Sequence, residues 1–453
     1  MKAAARCCLC LVILLAGQLP TNVTQGEEWP QWRGPRGQGH AATSDLPLTW
    51  SETQNVAWKS KIPGRGWSSP VIAEGVVWMT TAMEEAASAE EKAKRLRTNT
   101  GSQPLTVSDR VSFHAIGVDL DTGQVLHNVE LFHQEDPQWV HAINTYASPT
   151  PVISRGTLFC HFGTFGTAAV DAGKGKVLWT NRDHPIMHEN GPGASPIVWE
   201  DLVIFHCDGS DRQFITALDR QTGEVVWKTD RSGKLHENVQ LKKAYSTPVI
   251  MTVGGRDVLV SPAADWLYGY DLASGKELWK MNYGVLGFSI VARPVVRDDM
   301  LYLSTCYTDA QMLAVRLRGP AGTGSQQIVW RYKKQVPNVP SPLLVGDQLY
   351  FVSDNGIATC LDAASGALLW VKRLGGQFVA SPLYAEGQIY FFNREGETFV
   401  VGADRDFRQV ARNKLNSGIW ASPAAVDRSL VVRTEEALYR LQRHDEGRQG
   451  GIE

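Results

Sequence analysis

From residue 55 onward, short runs of alternating apolar and polar residues are broken by Gly, Asp and Asn, a pattern of strands and tight turns rather than amphipathic helices. One phrase recurs: Ser or Thr, then Pro, then aliphatic residues, a turn and an alternating strand. It stands at Ser69-Pro70, Ser148-Pro149 (with a variant starting at Thr150), Ser195-Pro196, Thr247-Pro248, Arg293-Pro294, Ser341-Pro342, Ser381-Pro382 and Ser422-Pro423. The prolines are 79, 47, 52, 46, 48, 40 and 41 residues apart; all gaps but the first match the period of a four-stranded propeller blade. A second phrase follows in most copies, as in DAGKGKVLW at Asp171, DRQTGEVVW at Asp219, DLASGKELW at Asp271 and DAASGALLW at Asp362. Its Gly supplies the positive φ of a tight hairpin, its Asp accepts backbone hydrogen bonds there, and its Trp can cover the join between blades. In the sixth copy the strands are predicted at 342–345, 348–353, 357–362 and 367–373.

The ends of the pattern predict ring closure. After Ser422-Pro423 only two further strands follow, SLVVRT and EALYRL, while NVAWKSK at 55–61 is an orphan strand carrying Trp58. Pairing the orphan into the last sheet completes it and removes two exposed edges. The expected fold is therefore all-β, an eight-bladed β-propeller of four-stranded blades over 55–442, with the last blade closed by an N-terminal strand. Outside it lie an arm over 27–54, which contains WPQWRGPRGQGH, and a polar tail over 443–453. The long first gap holds an insertion over 83–109, whose EEAASAEEKAKRLR has helical propensity and suggests a surface excursion or a lid.

Composition adds location. Lys2 and Arg6 precede a short apolar core over 7–17, so residues 1–26 read as a secretory signal with cleavage near Gly26. Gln18 stands where a lipoprotein signal needs Cys, so an exported protein, periplasmic or extracellular, without a lipid anchor is expected. A net charge of -2 argues against nucleic-acid binding through a broad basic surface, and the apolar core is too short for a membrane span. Of seven cysteines, Cys160, Cys207, Cys306 and Cys360 lie beyond the signal, with no C-x-x-C pair, which leaves disulfide, haem and zinc frameworks unsupported.

The Ser-Pro strand, the Asp-x-x-[Thr/Ser]-Gly turn and the following Trp resemble the repeat of pyrroloquinoline-quinone-type propellers. That group includes the quinoprotein alcohol dehydrogenases and the propeller lipoprotein of the outer-membrane β-barrel assembly machinery. WPQWRGPRGQG, HCDGSDRQF and SPLLVGDQLYFVSDNG are also similar to exported bacterial propellers of this kind. The resemblance implies the fold; it does not carry an activity with it. A dehydrogenase of the group holds its quinone beside a vicinal Cys-Cys disulfide with a Ca²⁺ and an Asp base, but here the one Cys-Cys pair, Cys7-Cys8, lies in the signal.

Candidate ligand-binding residues fall on loops entering consecutive blades: His141 and Asn144, then His188-Glu189-Asn190, then His236-Glu237-Asn238. The two triplets are 48 residues apart, which predicts related positions at one mouth of the channel. Loops carrying Asp208, Asp211, Asp265 and Asp354 are expected on the same face. Aromatic residues Trp67, Tyr146, Tyr245, Phe378 and Trp420 lie three or four residues before a repeat Pro, and either stack on a ligand or pack on each other. The loop residues either bind a metal, sugar or carboxylated ligand or cap their own turns. The leading expectation is a non-catalytic, monomeric binding or scaffold propeller that recognises a protein, peptide or glycan through one rim. The alternative is an oxidoreductase with pyrroloquinoline quinone and Ca²⁺, or a metal, in the channel.

Overall fold

The computed structural model describes residues 28–99, 103–307 and 309–443. The expected signal segment with Gln18, and the tail beyond Arg443, lie outside the described residues. Alternating residues fold into eight four-stranded antiparallel sheets, each built outward from a short inner strand. The sixth runs Leu343–Val345, Gln348–Val352, Ile357–Asp362 and Leu368–Arg373. The eighth takes Ala424–Val426, Ser429–Arg433 and Ala437–Gln442 from one end of the chain and Val56–Lys61 from the other. Trp58 pairs with Arg440 and Lys61 with Ala437, which closes the propeller as the orphan strand predicted. No helix among the described residues is long and apolar enough to cross a membrane.

The two repeated phrases hold the blades together at opposite radii. At the perimeter, the indole Nε1 of one blade donates to a carbonyl at the turn of the next: Trp58 to Leu120 at 2.8 Å, Trp179 to Arg220 at 3.0 Å, Trp227 to Leu272 at 3.2 Å. Trp279, Trp330 and Trp370 repeat the contact with Ala321, Ala363 and Asp404. The turn Gly is required twice over. Gly275 has φ +68°, and a Cβ there would overlap the Trp227 ring.

At the centre, the repeat hydroxyls form a belt. Ser69 N–H donates to Thr150 Oγ1 at 2.9 Å, Thr150 N–H to Ser195 Oγ at 2.9 Å, and Ser195 N–H to Thr247 Oγ1 at 3.0 Å. The series resumes from Arg293 through Ser341, Ser381 and Ser422, and Ser422 N–H returns to Ser69 Oγ at 3.1 Å. Among the described residues only the link from Thr247 to position 293 is missing, where Arg stands in place of a hydroxyl. The belt also sets the phase of the second copy: Thr150-Pro151 is the equivalent dipeptide, so its gaps are 81 (151 − 70) and 45 (196 − 151) residues.

The arm crosses the channel. Trp29 bridges Ile72 of the first blade, and Pro30 O accepts from Ile153 N–H of the second. Farther on, Gln38 Oε1 accepts from Val296 N–H of the fifth, Arg33 Nη2 donates to Pro342 O of the sixth, and Gly39 and Ala41 pair with Tyr384 of the seventh. Trp32 Nε1 reaches Ser422 Oγ of the belt at 3.3 Å. Bonded to inner strands on both sides of the ring, the arm closes one end of the channel. At the other end, the insertion carries a surface helix, Ala89–Arg95, capped by Ser88, and a strand Leu105–Thr106 that pairs with Val140–His141. The flanking strands extend to Ala86 and from Ser108, so the excursion between them is shorter than the sequence pattern suggests.

Candidate functional site

With one end closed, the channel is a funnel of about 630 Å³, within the ~300–1,000 Å³ range of ligand sites. Its floor is Trp32 and five belt hydroxyls, those of Ser69, Thr150, Ser195, Ser381 and Ser422. Most of its wall comes from loops joining an outer strand to the next inner strand, with Tyr307 added from the loop between the second and third strands of the fifth blade and Asn99 and Gln103 from the insertion. Among the described residues no Asp or Glu lines it, and Lys243 is the one lysine or arginine that does. The ammonium donates to Gln240 Oε1 at 2.6 Å and Glu189 Oε2 at 3.4 Å, and burial lowers its pKa. The mouth is apolar: Ile143 and Tyr307 are 46% and 48% exposed, with Phe288, Val339 and Val379 beside them.

Six of the sequence candidates line this funnel: Trp67, His141, Asn144, Asn190, Tyr245 and Trp420. His141 is fixed through Leu105 of the insertion, and partial burial lowers its imidazole pKa. Asn144 Nδ2 donates to Asn190 O at 2.8 Å, which joins two successive loops. The Tyr245 hydroxyl donates to His188 O at 2.5 Å. Trp67 and Trp420 stack on each other at 4.8 Å with planes 3° apart, and Arg65 and Arg394 lie over their rings at 5.4 and 3.9 Å. Each indole thus packs against the other and against a guanidinium.

The remaining candidates lie elsewhere. Tyr146 and Phe378 are core residues, 0% and 1% exposed. His188 is buried edge-on against Phe165, and neither ring nitrogen has a partner among the described residues. Burial, with Lys243 adding to it, pushes its imidazole down to about 3, so it is neutral. Glu189 sits behind the wall on Lys243, while His236, Glu237 and Asn238 are exposed on their loop, outside the funnel. The triplets are therefore not equivalent. The phase between these two blades is 52 residues (248 − 196), not 48, so the second triplet falls four residues early and Gln240 takes the place of His188.

The four aspartates brace loops instead of opening onto the mouth. Asp208 is buried against Arg231, with contacts of 3.1 and 2.9 Å, and Arg231 also reaches Tyr270, Ser261 and His206. Desolvation opposes the guanidinium charge, but Asp208 and the tyrosines outweigh it and hold it charged. Asp211 accepts from Met187 N–H and Asp354 from Asn338 N–H. Asp265 N–H donates to Gly287 O, and desolvation raises the pKa of its carboxyl.

Lys243, Gln240, Trp32, Phe288 and Tyr307 line the funnel without having been singled out by sequence. Trp32 carried a visible signal, because an aromatic in a Gly-Pro-rich arm has no strand to belong to. The quinone and Ca²⁺ of the dehydrogenases need converging oxygens that include carboxylates. Among the described residues this wall has no carboxylate, the four cysteines are separate buried thiols, and no group of three His, Cys, Asp or Glu is arranged to hold a metal. The residues present do not fit that pair.

An eight-bladed propeller with a Ser-Pro belt, indole-sealed seams and a one-mouthed funnel is a pyrroloquinoline-quinone-type repeat propeller. The family model for the outer membrane protein assembly factor BamB matches residues 42–250 and 211–446, and the chain belongs to that family. BamB of Yersinia pestis is 22% identical over 298 residues, 55% of this chain and 74% of the relative. BamB of Shewanella oneidensis is 21% identical over 301 residues, 63% of this chain and 69% of that one. The crystal structure of BamB from Moraxella catarrhalis superposes with a TM-score of 0.55 at 13% identity, covering 85% of this chain and 99% of its own. The computationally designed Ika8 protein gives 0.54 at 12% identity, with 87% and 99% covered. Both share the fold.

Proposed function

We propose that this chain is a non-catalytic scaffold of the bacterial envelope that serves outer-membrane protein assembly by holding a protein partner at the open mouth of its funnel. The observation that carries this reading is the family match across 42–446, joined to a channel that the chain's own arm leaves open at one end. A rigid ring with bonded seams suits a scaffold, because its loops can vary without loss of the frame. The apolar lip of Ile143, Tyr307 and Phe288 suits the apolar side chains of a peptide. Action outside the cytoplasm is supported by the export segment expected from the sequence and by the family. Deleting the gene in the source organism tests the role: β-barrel proteins of the outer membrane are expected to fall in abundance, and unchanged levels would overturn it.

A further inference from the structure

The belt has a property that its structural role leaves unused. Each hydroxyl accepts a backbone N–H from the preceding blade, which occupies the oxygen but not the hydroxyl proton. A Ser or Thr hydroxyl is one donor as well as an acceptor. Among the described residues, nothing accepts the hydroxyl proton of Ser69, Thr150, Ser195, Ser381 or Ser422, and these five are the ones that line the funnel floor. Ser422 Oγ also accepts from the Trp32 indole, which strengthens its own proton as a donor. The floor is thus an arc of five successive O–H donors, and among the described residues the wall above it carries no carboxylate and one lysine, Lys243.

We infer that this floor is a carboxylate seat, and that it takes the C-terminal carboxylate of an extended peptide whose last residues fill the mouth. A carboxylate is acceptor-only and can use several donors at once, with charge-assisted bonds stronger than neutral ones. Among the described residues no acidic side chain of the lining repels it. A peptide, unlike a free sugar acid, also covers the apolar lip at Ile143, Phe288, Tyr307, Val339 and Val379 with alternate side chains. The inference rests on the scaffold reading and gives the partner a chemistry: a free, unstructured C-terminus.

Fluorescence anisotropy of the purified protein tests it. The probe is a fluorescein-labelled six-residue peptide of alternating valine and threonine, as the free acid and as the C-terminal amide. The acid is expected to bind at least tenfold tighter than the amide. The paired substitution Ser69→Ala with Ser422→Ala, at adjacent belt positions, should cut that preference below threefold, and the Thr pair should restore it. Should the Ala pair fail to fold, the acid-to-amide ratio of the unaltered protein decides alone. Equal binding of acid and amide, or no binding of either, overturns the seat. Competition by glucuronate as strong as that by unlabelled peptide acid overturns the assignment to a peptide. Discrimination between acid and amide with β-barrel levels unaffected by gene deletion overturns the scaffold role and leaves the seat standing; the reverse pattern does the opposite.

Discussion

Replacing His188 by Leu should remove a defined part of the protein's acid sensitivity. The imidazole is 1% exposed, has no partner on either nitrogen among the described residues, and is held at about 3 against 6.5 for the free group. Because the folded pKa lies below the unfolded one, the unfolded chain binds the extra proton between pH 6.5 and 3. The stability this neutral ring contributes is therefore whole above 6.5 and lost as pH falls through that window. At pH 5 the loss is about 1.5 pH units at 1.36 kcal/mol each, or about 2 kcal/mol. His161 is held at about 3 by burial and by its neighbours His184 and His206, and adds a similar loss. The unaltered protein should then lose about 4 kcal/mol from these two rings between pH 7 and 5, and His188→Leu about 2 kcal/mol. Urea unfolding followed by tryptophan fluorescence at pH 7, 6 and 5 measures both. At pH 7 the leucine should be neutral or stabilising, because it replaces two orphaned polar atoms with apolar surface. An unchanged pH slope would refute the reasoning, as would a loss above about 2 kcal/mol at pH 7, which would show that the ring holds something in place.

Two further outcomes follow from the belt and the funnel. Ser381→Ala strands the buried Ser341 N–H and should cost about 1–3 kcal/mol, whereas Ser381→Thr, which keeps the acceptor as Thr150 and Thr247 do, should cost less than the Ala variant; equal melting of the two variants would remove the belt's structural role. Millimolar Ca²⁺, with or without pyrroloquinoline quinone, should shift the melting temperature by less than about 1 °C, because among the described residues no carboxylate lines the funnel; a saturable shift of several degrees that needs Ca²⁺ would place a metal-dependent cofactor site back in the channel.

The architecture was legible because it is written many times. A Gly that must both turn the chain and lie flat on the preceding blade's Trp, as Gly275 does on Trp227, leaves the same mark in each blade that uses it. Closure by the strand at Trp58 was legible because an unpaired edge strand and an incomplete last sheet solve one another. The site was less so. Its residues stand on loops of unequal length, and a four-residue difference sends His188 into the core and His236 to the surface although both begin the same triplet. Whether an aromatic beside a repeat Pro packs or faces the channel depends on its neighbours in the next blade: Tyr146 is buried, while Trp67 finds Trp420 across the seam where the ring closes. The Ser and Thr of the repeat were visible from the start as marks of a strand. Their second role needs several blades side by side, which no single repeat contains.

The central claim, a protein partner held at the one open mouth, is tested most directly by photocrosslinking in cells from two exposed positions. A crosslinking amino acid at Tyr307 lies on the lip, and one at Leu178, 51% exposed on an outer strand, lies away from it. A discrete crosslinked protein is expected from position 307, lost when excess peptide with a free C-terminus competes in envelope extract, and none from position 178. Equal crosslinking from both positions, or crosslinks from 178 alone, would contradict the claim.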